Sequence, residues 1–211
     1  AFSTELGCAP VDNEIKKVVL KKIEVIKSCF NYTNNDHPNF LNIHDCFEVI
    51  RGFNYVASHL EKVQNNRELL GPNVIDNVER GLKYSMEDVT WAHQEQTKIY
   101  NNFRKFFENY DVLICPAASV SPFPHEQLFV EEINNEKLPT YMRWLALSYA
   151  PTMAIPCAWA LPCGLDHKNL PFGIQLIAPA GNDAKLSEIA LAIEDALSNH
   201  EETKRAIPDI F

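Results

Sequence analysis

Apolar residues return at three- and four-residue intervals in several stretches of the chain, the spacing of helices with one buried stripe. Over 13–29 the stripe is Ile15, Val18, Val19, Ile23 and Ile26, with Asp12 or Asn13 placed to cap its start. A second helix is expected over 43–63, with Phe47, Ile50, Val56 and Leu60 inward and Gly52 as a weak point, since glycine lowers helix stability. Gly71-Pro72 interrupts the pattern. Helices resume over 73–81 and 85–109, the latter with Val89, Ala92, Ile99, Phe103 and Phe106 on one face.

At Asp111 the period changes. Val112-Leu113-Ile114-Cys115-Pro116 is a continuous apolar run stopped by proline, the pattern of a strand buried on both faces. Two further apolar segments, 154–162 and 172–178, suit neighbouring strands joined by a turn. Pro139 can start a short helix that reaches Tyr149, and Asn182 or Asp183 caps a last helix with Leu186, Ile189, Ala190, Ile193 and Leu197 inward. Nine of the thirteen prolines fall between Pro116 and Pro179, which marks a boundary between long helices and short strands. The reading is an α/β fold, part of a mixed β-sheet flanked by helices: 1–110 mainly helical, 111–181 sheet core with loops, 182–211 closing helix and tail.

Composition excludes several functions. A net charge of -9 opposes binding to nucleic acid, whose affinity rests on Lys and Arg displacing counterions. The densest basic group, Lys16, Lys17, Lys21, Lys22 and Lys27, reads as the solvated side of the first helix. The seven glycines stand too far apart for any G-x-G, which removes the glycine-rich phosphate cradles. The six cysteines form no C-x-x-C and the histidines no H-x-H or H-E-x-x-H, so reduced, mostly buried thiols and no metal or cofactor are expected. No run approaches the ~18 apolar residues of a membrane span. A cytoplasmic location is the default expectation, and Asn31-Tyr32-Thr33 is read as a chance sequon. The opening Ala1-Phe2-Ser3-Thr4 is strand-like and has no leading methionine, as if cut from something longer.

No reactive centre is visible. There is no G-x-S-x-G, no S-x-x-K and no serine flanked by glycines, so no serine has an activator or an oxyanion cradle. Cys115, Cys157 and Cys163 lie in apolar strands, where burial makes a thiol inert. His93 and His125 are conceivable bases, and Glu126, Glu131 and Glu132 form an acidic stretch; the structural reading is preferred for each. No catalytic residue is assigned.

Three stretches, in order, resemble the C-terminal portion of the amidase signature family. Tyr110-Asp111-Val112-Leu113-Ile114-Cys115-Pro116 is similar to its D-V-L-L-x-P strand. Ile155-Pro156 through Leu161-Pro162-Cys163-Gly164 is similar to its G-x-P-A-I-S-V-P-C-G segment. Leu170-Pro171-Phe172-Gly173-Ile174-Gln175-Leu176-Ile177 resembles L-P-x-G-x-Q-L-I-G, and the closing helix follows it. The opening, from Phe2 to Asp12, resembles the family's entry into its second half.

The resemblance implies hydrolysis of small carboxylic amides by a serine nucleophile, a second serine in a cis peptide and a lysine, all on an upstream segment that nothing here matches. The chain is therefore expected to be inactive alone and to need the N-terminal half of the amidase, or a covering partner chain. Neither membrane nor nucleic acid is expected as a partner, and without the N-terminal half the chain is expected to self-associate into a homo-oligomer. The substrate-pocket candidates are Tyr149, Thr152 and Met153, with the loop after Pro116 as a further wall. The sequence departs from the family at Pro151-Thr152-Met153-Ala154, and the interval from Pro156 to Pro162 is one residue longer than the family's usual one. Asn77 stands where amidotransferase A subunits tend to carry an arginine, which favours a small-amide hydrolase. The alternatives are a non-catalytic scaffold and a fragment of an amidotransferase A-type subunit.

Overall fold

A computed structural model describes residues 1–207, so the end of the expected tail, 208–211, lies outside the described residues. Helix α1, Asn13–Ile26, starts where Asp12 accepts a hydrogen bond from the Glu14 N–H at 2.7 Å and ends in a 3-10 turn over Lys27–Cys29. Helices α2 (Ile43–Asn65), α3 (Pro72–Gly81) and α4 (Met86–Phe106) form a second helical group. Ser85 and Asp88 cap α4 reciprocally: the Ser85 hydroxyl accepts from the Asp88 N–H, and the Asp88 carboxylate accepts from the Ser85 N–H.

The stripes of α1 and α4 bury much as their spacing predicts, with Glu95 as an addition on α4. The inward face of α2 does not follow the expectation: it carries Ile43, Cys46, Val49, Gly52 and Val63, while Phe47, Ile50, Val56 and Leu60 are half-buried. The cause is Gly52, expected to be a weak point. It is the crossing of α2 on α3, where a methyl added to Gly81 would stand 2.3 Å from the Gly52 carbonyl oxygen. Lys22 is a second correction. It is not on the solvated side but 7% exposed, its ammonium donating to the Glu202 carbonyl of the returning tail.

Strand β1, Leu113–Pro116, is buried throughout, as a doubly covered strand must be. The helix expected from Pro139 to Tyr149 begins only at Ala146, and a hairpin that was not expected lies just before Pro139. A two-residue hairpin, β2 (Glu132–Ile133) and β3 (Glu136–Lys137), turns at Asn134-Asn135, both with positive φ, and a 3-10 turn over Arg143–Leu145 leads into α5, Ala146–Thr152. The Asn134 amide reaches back to the start of α1, accepting from the Asn13 N–H at 3.0 Å and donating to the Val11 carbonyl at 3.0 Å.

Strands β4 (Cys157–Leu165) and β5 (Pro171–Ala178) are the expected neighbours. The sheet order is β1-β5-β4 and every ladder is antiparallel; among the described residues the parallel pairing is limited to two isolated bridges, from Phe2 to Asn35 and to Ile114. The β4–β5 register runs unbroken from Cys157–Ala178 to Pro162–Gly173 and shifts only between Pro162 and Leu165, so the long interval before Pro162 leaves the pairing intact. Gly173 sits where a Cβ would be 3.2 Å from the Leu161 carbonyl, a close backbone approach. Helix α6, Asp183–Ser198, packs against α1 and the sheet through Leu186, Ala190, Ile193 and Leu197. On its outer edge β4 has no partner among the described residues, and Trp159 there is 45% exposed.

Candidate functional site

The opening segment crosses between α2 and the hairpin in a conformation that few residues permit. Leu6 and Gly7 both have positive φ, and a Cβ on Gly7 would lie 2.1 Å from the His37 ring. This turn aims the Cys8 carbonyl at His44 Nε2, 3.0 Å away. A carbonyl only accepts, so Nε2 carries the proton and Nδ1 accepts from the Tyr149 hydroxyl. Phe47 stacks on Tyr149 with ring centroids 4.0 Å apart and nearly parallel. Burial, and after it the Arg143 guanidinium, hold the His44 pKa below its ordinary value, which keeps the ring neutral.

Two adjoining clefts of about 480 and 510 Å³ share Gly7, Cys8, His44 and Arg143. The hairpin forms one wall of the first, and Lys16 paired with Glu5 forms part of its rim. Behind Arg143, Glu48 accepts from the Thr140 hydroxyl at 3.2 Å and from Arg143 Nη2 at 3.5 Å, with Arg80 4.0 Å away. The first cleft is mainly polar and suits a small polar ligand, whereas the second is evenly polar and apolar. They hold no activated thiol, because burial pushes Cys8 up to about 12.

The three pocket candidates come together without lining these clefts. Tyr149 is buried under His44 and Phe47, Met153 is buried with its carbonyl accepting from Gln96 at 3.4 Å, and Thr152 is exposed with its hydroxyl donating to the Tyr149 carbonyl. The loop after Pro116 lines a separate groove together with Trp144 and Phe172. His44 and Arg143 were missed in the sequence; the available signal was a histidine in the first turn of an apolar helix. His93 and His125 are both exposed, and Glu126, Glu131 and Glu132 form no cluster able to hold a metal among the described residues. Asn77 is 5% exposed and fully engaged: it accepts from Arg51 Nε at 3.1 Å and donates to the Asn73 carbonyl and the Tyr141 hydroxyl.

The remaining buried thiols are equally inert, Cys115 and Cys163 being pushed up to about 12 and Cys46 to about 11 by burial. The Ser119 and Ser121 hydroxyls are buried, and neither makes a hydrogen bond among the described residues.

Comparison with known proteins gives a consistent outcome. The glutamyl-tRNA(Gln) amidotransferase A subunit of Streptomyces avermitilis is 34% identical over 106 residues, which are 50% of this chain and 20% of that protein. A second such A subunit, from Clostridium acetobutylicum, is 34% identical over 100 residues, 46% of this chain and 19% of that protein. A bacterial aryl acylamidase of the amidase signature family superposes with a TM-score of 0.78 at 18% identity, over 94% of this chain and 44% of that one. A 6-aminohexanoate cyclic dimer hydrolase superposes with a TM-score of 0.74 at 16% identity, over 93% and 44%. These superpositions show a shared fold, and the chain spans less than half the length of the relatives it matches. The family model described as Amidase matches residues 2–186, and the chain belongs to that family.

Proposed function

We propose that this chain is the C-terminal portion of an amide hydrolase that acts on small carboxylic amides. In this reading it supplies sheet and cleft walls, and the Ser-Ser-Lys machinery lies on a segment upstream. The match to the Amidase family over residues 2–186 carries the proposal. It is supported by the raised thiols and by the buried Ser119 and Ser121 hydroxyls, which make no hydrogen bond to an activating base among the described residues. The partner in this reading is the N-terminal portion, seated against the open edge of β4.

The test is an amidase assay on the purified chain, alone and co-expressed with an N-terminal segment carrying the lysine and Gly/Ser-rich signature. Turnover should occur only in the second case, and it should vanish when the nucleophilic serine of that segment is replaced. Turnover by the purified chain alone would overturn the proposal. Absence of turnover in both would favour a non-catalytic scaffold.

A second reading, a portion of an amidotransferase A-type subunit, is favoured by the names of the curated relatives. Against it stands Asn77, whose amide is engaged internally where such subunits would present a cation to a carboxylate. Release of ammonia from glutamine, together with co-purification with a B-type subunit, would decide for this second reading.

A further inference from the structure

The loop after β1, the start of β5 and the turn before α5 enclose a groove of about 250 Å³, separate from the two clefts at His44. Its walls are apolar and flat. Phe123 meets Trp144 edge to face, with centroids 5.5 Å apart, and Phe172 and Pro122 extend the same surface. The floor is different. Ser121 and Asp166, 6% and 7% exposed, both line the groove, and neither Ser121 Oγ nor Asp166 Oδ2 has a hydrogen-bond partner in the chain.

Asp166 has a structural duty that accounts for only one of its oxygens. Oδ1 accepts from the Lys168 N–H at 2.8 Å and the Leu170 N–H at 2.9 Å, closing the turn between β4 and β5. An asparagine would close that turn equally well through its single carbonyl oxygen. The second oxygen and the charge are surplus to the turn. Burial pushes this carboxyl up, but the polar groups around it, Ser121 standing beside it though not bonded to Oδ2 and the Leu170 and Lys168 N–H groups on Oδ1, more than offset it and hold the group below its ordinary value, ionised at neutral pH. A buried carboxylate oxygen without a donor, at the end of an aromatic slot, is a site for a hydrogen-bonding cation.

We propose that this groove binds a small molecule with a flat apolar body and a primary ammonium head, the body between Phe123, Trp144 and Phe172 and the ammonium donating to Asp166 Oδ2 and Ser121 Oγ. Resting on the hydrolase reading, this makes the amide substrate, or the amine it releases, one that carries a cationic nitrogen. The binding claim itself needs no turnover, so the two can fail separately.

The test uses benzylammonium as probe on the full chain, followed by NMR of backbone amides and the Trp144 indole. Saturable shifts at Ser121, Phe123, Trp144 and Phe172 are expected. Benzyl alcohol and benzoate, which match the body but lack the cation, should bind weaker by about tenfold or more, the scale of one charge-assisted hydrogen bond. Asp166→Asn keeps the turn acceptor and should weaken benzylammonium to the level of benzyl alcohol, with the β4–β5 amide shifts otherwise unchanged. Trp144→Ala provides a second variant that leaves the carboxylate in place and should weaken all three probes together. Equal binding of the cation and the alcohol, an unchanged affinity in Asp166→Asn, or no saturable shift because the floor is merely hydrated would each overturn the proposal.

Discussion

The Gln175 side-chain amide donates to the Leu147 carbonyl at 2.8 Å, and that carbonyl is the one Pro151 leaves without a donor. Residue 151 would supply the N–H to the carbonyl four residues earlier in α5, but proline has none. The glutamine in the middle of β5 therefore completes a helix it does not belong to.

Replacing Gln175 with leucine should cost about 1–3 kcal/mol, the penalty of a buried acceptor left unmade. In a Pro151→Ala background, where an N–H can return to the helix, the same replacement should cost measurably less. Chemical denaturation of the four members of this cycle reads the coupling. Equal costs in both backgrounds would dissociate Gln175 from the proline.

Gly81→Ala should destabilise the chain by about 1–3 kcal/mol, because the methyl meets backbone that cannot move aside. Gly52→Ala should cost less, since its added Cβ lies 3.0 Å from the nearest atoms. Gly71, with nothing within 4 Å of an added Cβ, is the control. Thermal melts that rank Gly71→Ala as the most harmful of the three would contradict the close crossing of α2 on α3.

His44 makes stability depend on pH. Its pKa is lowered from 6.5 in the folded chain by burial and by Arg143, against the opposing effects of the Cys8 carbonyl and Asp45. Above the unfolded value both states are neutral and nothing is lost; as pH falls below it, the unfolded state takes up a proton that the folded state refuses. Urea melts at about pH 7.5 and 5.5 should show a loss in the native sequence that is smaller in His44→Gln. Identical pH slopes in the two would place the titration elsewhere.

Alkylation at mildly alkaline pH should leave Cys46, Cys115 and Cys163 unmodified until the chain unfolds, because each is buried with a raised pKa. Mass spectrometry of the native and urea-unfolded chain reads this directly. Rapid native labelling of Cys115 would mean that β1 is not covered.

The exposed Ala158-Trp159-Ala160 stretch of β4 lies on an edge without a partner among the described residues, and should drive self-association. Trp159→Glu should lower the apparent mass in light scattering. A native chain that is monomeric across a wide concentration range would show that this edge is not adhesive.

Much of this architecture was legible wherever a local period reports burial. The stripes of α1, α4 and α6 and the run of β1 need only their own residues to be recognised. The inward face of α2 was not, because Gly52 faces the crossing where apolar side chains would be expected. The hairpin was hidden in a polar stretch, although Asn134-Asn135 is a turn signal for paired positive φ. The site was least legible. His44, Tyr149 and the Cys8 carbonyl are brought together across 105 and 36 positions of sequence, a relationship no window can contain.

One asparagine also has a mechanical consequence. Asn134 grips the entry to α1 through both ends of its amide, 121 and 123 positions away along the chain. The hairpin wall of the first cleft is thereby clasped to a helix rather than hung on a free excursion. Widening that cleft requires the first turn of α1 to loosen with it, so hydrogen exchange at Asn13 and at the hairpin should rise and fall together.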